Sequence, residues 1–243
     1  MSTKHGKNYT SALSKIEKGR TYEPAEAAQL VKDTSFAKFD STVEAHLRLG
    51  IDPRHADQQV RTTVSLPNGT GKAVRVLVFA KGDAERIARD AGADYAGGDE
   101  LIQRIAKEEW TDFDVAVATP DIMGDLGKAG LGKILGRKGL MPNPKSGTVV
   151  QAADLPRAIG ELRKGKVEFR NDKTGLLHVA IGKTSFTPEQ ILGNFSALMG
   201  AVKSAKPSGA KGIYIKSVTL TSTMGPGIPV DIAAAQDLGG TEE

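Results

Sequence analysis

The sequence predicts an α/β protein in two parts: an α+β domain with an antiparallel sheet, assembled from both ends of the chain, and a parallel α/β domain spliced into it. Three observations carry this reading. Residues 39–50 (FDSTVEAHLRLG) alternate strictly, residues 74–80 (VRVLVFA) form a nearly continuous apolar run followed by helix-like and strand-like stretches, and beyond Gly165 the two-residue period returns. Period two marks a strand with one buried and one wet face. Apolar strands alternating with helices mark a parallel sheet. Like regions on either side of an unlike one are read most economically as an insertion, and two chain crossings in one place make a hinge.

A basic leader comes first, with Lys4, Lys7, Lys15, Lys18 and Arg20 against the single acid Glu17. Pro24 opens a helix-like run over 25–32, since proline suits a first helical turn. In 39–50 the odd positions Phe39, Ser41, Val43, Ala45, Leu47 and Leu49 share one face, and Asp40, Thr42, Glu44, His46 and Arg48 share the other. Residues 60–66 are expected as the antiparallel partner. Pro67-Asn68-Gly69-Thr70-Gly71 then punctuates the chain. The inserted domain should contain strands at 74–80 and 113–119, helices at 83–91 and near 99–107, and a closing helix near 153–163. Past Gly165, 166–170 and 176–181 flank the turn-like 171–175 and predict a hairpin. A helix from Pro188 to about Ala205 and a final strand over 212–221 follow. The boundaries read as 1–68 plus 160–229 for the outer domain, 69–159 for the insertion, and 230–243 for an acidic tail expected to be flexible.

The chain has 243 residues, enough for two cores of roughly 100 to 200 residues each. Its 39% hydrophobic and 26% charged residues are those of a globular protein. The net charge is +4, but the tail holds four acids (Asp231, Asp237, Glu242, Glu243) and no base. Taking those four from 29 acids leaves 25 against 33 bases, a body near +8. Without cysteine there is no disulfide, thiolate metal site or cysteine nucleophile. The leader has no apolar stretch behind its charges and no later run approaches spanning length, so no secretory signal and no membrane span are expected, and the expected address is the cytoplasm.

The final strand carries Ser217, Thr219, Thr221 and Thr223 at alternate positions, a ladder of hydroxyls that can meet phosphates, sugar 2′-hydroxyls and base edges. Alone, such a ladder is more readily an ordinary solvent-facing strand. Charge shifts the balance. No acid occurs between Gln190 and Val230, or between Leu126 and Ala153, while Lys203, Lys206, Lys211, Lys216, Lys128, Lys133, Arg137, Lys138 and Lys145 do. Two such stretches favour a nucleic-acid partner. Asp40, Glu44 and Asp172 could accept from 2′-hydroxyls or base amino groups, or could pair with Lys38, Arg48 or Lys173. Enzyme motifs fail. GLMPNPKS (139–146) nearly matches a phosphate loop, but Pro144 replaces the second glycine and offers no N–H. Gly69-Thr70-Gly71-Lys72 is followed by Ala73 where a hydroxyl is needed. His5, His46, His55 and His178 are not spaced as metal ligands. No catalytic constellation, cofactor or metal is expected.

The run GRKGLMPNPKSGTV (136–149), with KFDSTVEAHLRLGIDPR, EFRNDKTG and STMGP in order along the chain, resembles the signature of the large-subunit ribosomal protein L-one family. That resemblance, over Lys15 to Pro226, implies a discontinuous RNA-binding domain of split βαβ type and a Rossmann-like insertion. It also implies a cytoplasmic, ribosome-bound protein, monomeric outside the ribosome, with stalk rRNA, exit-site tRNA and its own operon mRNA as partners. By matching position, the primary RNA contacts are Lys38, Phe39, Thr42, Glu44, Asp172, Lys173, Thr174, His178, Ser217, Thr223, Met224 and Gly225. Lys133, Arg137, Lys138 and Lys145, on a lysine-rich loop, would add weaker contacts to rRNA or tRNA. Ser222 departs from the family's usual threonine, and the acidic tail follows no family pattern.

Overall fold

The computed structural model describes residues 5–240. Along the chain run α1 (Lys7–Leu13), α2 (Pro24–Asp33), β1 (Thr42–Leu49), β2 (Arg61–Ser65), β3 (Val76–Phe79), α3 (Asp83–Asp90), β4 (Tyr95–Gly97), α4 (Asp99–Glu108), β5 (Val115–Ala118), α5 (Pro120–Lys128), α6 (Gly132–Arg137) and α7 (Leu155–Arg163). Then follow β6 (Lys166–Arg170), β7 (Leu176–Lys183), α8 (Pro188–Ser204), β8 (Ile215–Ser222), β9 (Ile228–Val230) and α9 (Ile232–Leu238). Two compact units result, Met1–Gly71 with Val167–Glu243, and Lys72–Lys166. The junctions lie later than 68/69 and 159/160 for packing reasons. Asn68 and Gly69 are hydrogen-bonded to the buried Asn194 of α8. Helix α7 stays whole, burying Leu155, Ile159 and Leu162 with the inserted sheet.

In the outer unit a four-stranded sheet runs β7-β1-β8-β9 with every pair antiparallel. The odd side of β1 is buried, with Val43, Ala45, Leu47 and Leu49 at most 3% exposed, under a layer of α2, α8 and α9. Helix α8 starts with a capping box, Thr187 Oγ1 accepting from Gln190 N while Gln190 Oε1 accepts from Thr187 N. A register shift opposite Arg48 and Leu49 changes the phase of β8, so that Ile215 is buried while Ser217, two residues on, is exposed.

Three expectations are corrected here. Residues 60–66 do not pair with β1, whose edges are taken by β7 and β8; β2 pairs with β6 instead. The hairpin across 171–175 is therefore not formed, and the turn carries the chain from one sheet to the other. Asn171 fixes that exchange, Oδ1 accepting from Val60 N at 2.7 Å and N donating to Val60 O at 3.0 Å. Residues 230–240 are not a loose tail. Val230 lies in β9, Asp231 caps α9 by accepting from Ala234 N at 2.9 Å, and Ala235 is wholly buried with Ile232 and Leu238 packed beside it. Residues 241–243 lie outside the described residues.

The inserted unit has a parallel sheet of order β4-β3-β5. Alternate residues of β3 enter different cores: Leu77 and Phe79 join Ile105, Ile122, Leu126, Leu131 and Leu135, whereas Val76 and Val78 join Ala88, Leu155 and Ile159. Both faces are thus covered, which explains the continuous apolar run. The lysine-rich stretch 133–145 is not one loop. Lys133 and Arg137 stand on α6, whose Leu135 is buried beside Leu131, and Lys145 is in a 3-10 turn, Pro144–Ser146. Among the described residues no helix is long and apolar enough to cross a membrane.

Candidate nucleic-acid interface

The even side of β1 faces away from the helices. Its register sets Glu44 between Ala180 and Thr221, His46 between His178 and Thr219, and Arg48 between Leu176 and Ser217. Side chains on this face are wholly or partly open to solvent.

At one end stand Lys38, Phe39, Thr42, Thr223 and Met224. Thr223 binds β1 twice through its hydroxyl, accepting from Thr42 N at 3.1 Å and donating to Thr42 O at 3.3 Å. Thr42 Oγ1 in turn accepts from Lys183 Nζ at 2.9 Å. Phe39 and Met224 are 60% and 72% exposed, so neither is held by the core. Met224 has φ +68°, a left-handed conformation unusual for a side-chain-bearing residue. Gly225 is required by crowding, since a Cβ there would lie 2.4 Å from Ser222 Oγ. Thr221 is spent on this turn, its hydroxyl lying within 3.2 Å of the carbonyls of Ser222, Gly225 and Pro226.

At the other end lie Asp172, Lys173, Thr174, His178 and Ser217. Asp172 Oδ1 accepts from Thr174 N and Leu176 N, both at 2.8 Å, and Thr174 Oγ1 donates to the same carboxylate. The Leu176 amide chiefly, then Thr174, hold Asp172 below the usual carboxylate range despite opposing desolvation. Leu49 N donates to Gly175 O, which ties this turn to the far end of β1. Eight residues of strand, at about 3.3 Å each, set the two ends roughly 23 Å apart. The predicted residues therefore form two clusters on one surface, not one patch.

A row of ionisable groups joins the clusters. Glu44 Oε2 is 3.6 Å from His46 Nε2, the Nδ1 atoms of His46 and His178 are 2.8 Å apart, and His178 Nε2 is 3.9 Å from Asp172 Oδ2. Desolvation, then the neighbouring His178, pushes the His46 pKa down against the pull of Glu44. None of the three acids pairs with Lys38, Arg48 or Lys173. Asp40 accepts instead from Thr184 and Ser185, and those bonds with Lys183 nearby outweigh desolvation and hold its pKa low. Lys183, which positions Thr42, was missed as a site residue and could be found only from cross-strand register. His46 stood on the open face by alternation, and register adds that it holds His178.

In the inserted unit Lys133, Arg137, Lys138 and Lys145 are exposed, and none has an acidic partner among the described residues. The phosphate-loop-like segment ends in a buried Ser146 whose hydroxyl donates to Asn143 O at 3.0 Å, so it cradles nothing. Lys72, the other near miss, pairs with Asp114 at 2.5 Å. No group of three or more histidines and acids among the described residues could hold a metal.

One unit presents an open antiparallel sheet bearing hydroxyls, imidazoles and cations and the other is built on a parallel sheet, which defines a two-unit α/β protein. The model of the Ribosomal protein L1p/L10e family matches residues 31–226, and the chain belongs to that family. It is 69% identical over 235 residues to the large ribosomal subunit protein uL1 of Chloroflexus aurantiacus strain J-10-fl, covering 97% of this chain and 98% of the relative. The protein of the same name from Chloroflexus aggregans is 68% identical with the same coverage. These are structural proteins of the ribosome, and the present protein is not an enzyme.

Proposed function

We propose that the protein is a constituent of the large ribosomal subunit that grips stalk rRNA on the open sheet of its outer unit. Lys38, Phe39, Thr42, Glu44, Thr223, Met224 and Gly225 hold one part of the RNA, and Asp172, Lys173, Thr174, His178 and Ser217 hold another. The observation that carries this reading is the uncovered face of β1, with turns at both of its ends fixed in advance by hydrogen bonds. Preformed turns lower the ordering cost of binding. A surface rich in hydroxyls and carboxylates reads 2′-hydroxyls and backbone shape more than base identity. One site can then accept both rRNA and a structurally similar segment of the operon mRNA, whose translation the protein represses. Lys133, Arg137, Lys138 and Lys145 add weaker contacts to rRNA or exit-site tRNA, and the protein takes part in that tRNA's movement and release. It acts in the cytoplasm, bound to ribosomes, and is monomeric outside them. Filter binding of a stalk rRNA transcript, with duplex DNA as competitor, tests the proposal. Nanomolar RNA binding that duplex DNA does not displace is expected, and equal competition by DNA would sink it.

A further inference from the structure

A groove of about 740 Å³ opens beside the turn end of the open face, between that turn and the β2–β6 ribbon. This volume falls within the roughly 300–1,000 Å³ of clefts that take small ligands. Its apolar floor comes from the buried Val60 and Phe169. Arg61 and Glu168 pair across the ribbon and so cancel. Arg170 and Lys173 differ: both are exposed, and neither has a hydrogen-bonding or acidic partner among the described residues. The remaining carboxylate, Asp172, is already occupied by Thr174 and Leu176. His178 forms part of the wall, its ring held by His46 at 2.8 Å. The groove thus combines a net positive rim, an apolar floor and a flat ring fixed in orientation.

That combination fits an anion joined to a flat ring with polar edges. We propose that the groove receives one unstacked nucleotide of the bound RNA, with its base against His178 and its phosphate between Arg170 and Lys173. This rests on the reading of the open face as the RNA grip, because RNA that reaches the Asp172 turn meets the groove mouth directly. The unpaired cations would be satisfied only in the complex, and a base with no protein stacking partner elsewhere would find one there.

The experiment uses the full chain and a stalk rRNA transcript in which each unpaired nucleotide is replaced in turn by an abasic residue. At one position the loss of the base should weaken wild-type binding about tenfold, the effect of removing one stacked base. The same replacement should cost nothing further in Arg170→Ala or in Gln59→Trp, which fills the groove from an exposed position. Wild-type protein that binds the transcript but is indifferent to every abasic position overturns the groove assignment and leaves the open face standing. Protein that does not bind the transcript at all overturns the open-face reading. Titration of adenosine monophosphate into the RNA-free protein separates the two sources of a nucleotide: no saturation is expected, and saturable binding that the RNA does not displace overturns the proposal.

Discussion

The two sheets of this molecule are built from similar residues and used in opposite ways. In the inserted unit β3 is buried on both sides, all four of its residues being fully enclosed. In the outer unit β1 is buried on one side only, and its other side carries Thr42, Glu44, His46 and Arg48 into solvent. A sheet covered twice spends its side chains on cohesion. A sheet covered once leaves half of them open to solvent, and its apolar packing comes from the odd-numbered side of β1.

That division can be broken by mutation. Phe79→Ala should lower the stability of the inserted unit by about 3 to 5 kcal/mol, the cost of emptying a buried aromatic site, and leave rRNA affinity within twofold. Calorimetric unfolding beside filter binding checks both, and a parallel loss of affinity would refute the separation. Thr223→Ala should do the converse. Losing the two hydrogen bonds to Thr42 should weaken rRNA binding by about 1 to 3 kcal/mol without unfolding the protein, and wild-type affinity would discard this end of the site.

Acid provides a finer test. Asp40 and Asp172 both have folded pKa values below their ordinary ones, so their contribution is present above about pH 4 and is lost as pH falls through the folded values. Asp172→Asn should flatten that decline in the outer unit's acid unfolding curve, and an unchanged slope would deny the turn its role. His46 acts near neutrality. Its lowered pKa means stability is full above about pH 6.5 and falls as pH drops through the folded value, a slope that His46→Gln should reduce. The smallest effect belongs to the inserted unit's cations. Lys133→Ala with Lys145→Ala should change rRNA affinity by only a few tenths of a kcal/mol, with a shallower salt dependence as the clearer sign.

The same contrast explains what could be read in advance. Strand β1 was legible because one-sided burial writes alternation into the sequence, and β3 because two-sided burial erases it. The partner of each strand was not legible. Nothing local separates a turn that closes a hairpin from one like 171–175, where Asn171 reaches back to Val60. Helix α6 was hidden by Gly132 and Gly136, and α9 by acids that its buried Ala235 outweighs. Of the interface, the hydroxyls and lysines were visible as residue types. That they fall into two clusters joined by a pair of imidazoles depends on register, which no single strand encodes.

Strand β1 takes its place between two partners, β7 and β8, that both follow the insertion, and α9 completes the layer beneath them. During synthesis from the amino terminus, the inserted unit therefore has all its parts before the outer unit has half of its sheet. The surface read here as the RNA grip comes into being only as the last few dozen residues emerge. An unfinished chain would carry the insertion fully formed yet have no means of competing with finished copies for a binding site.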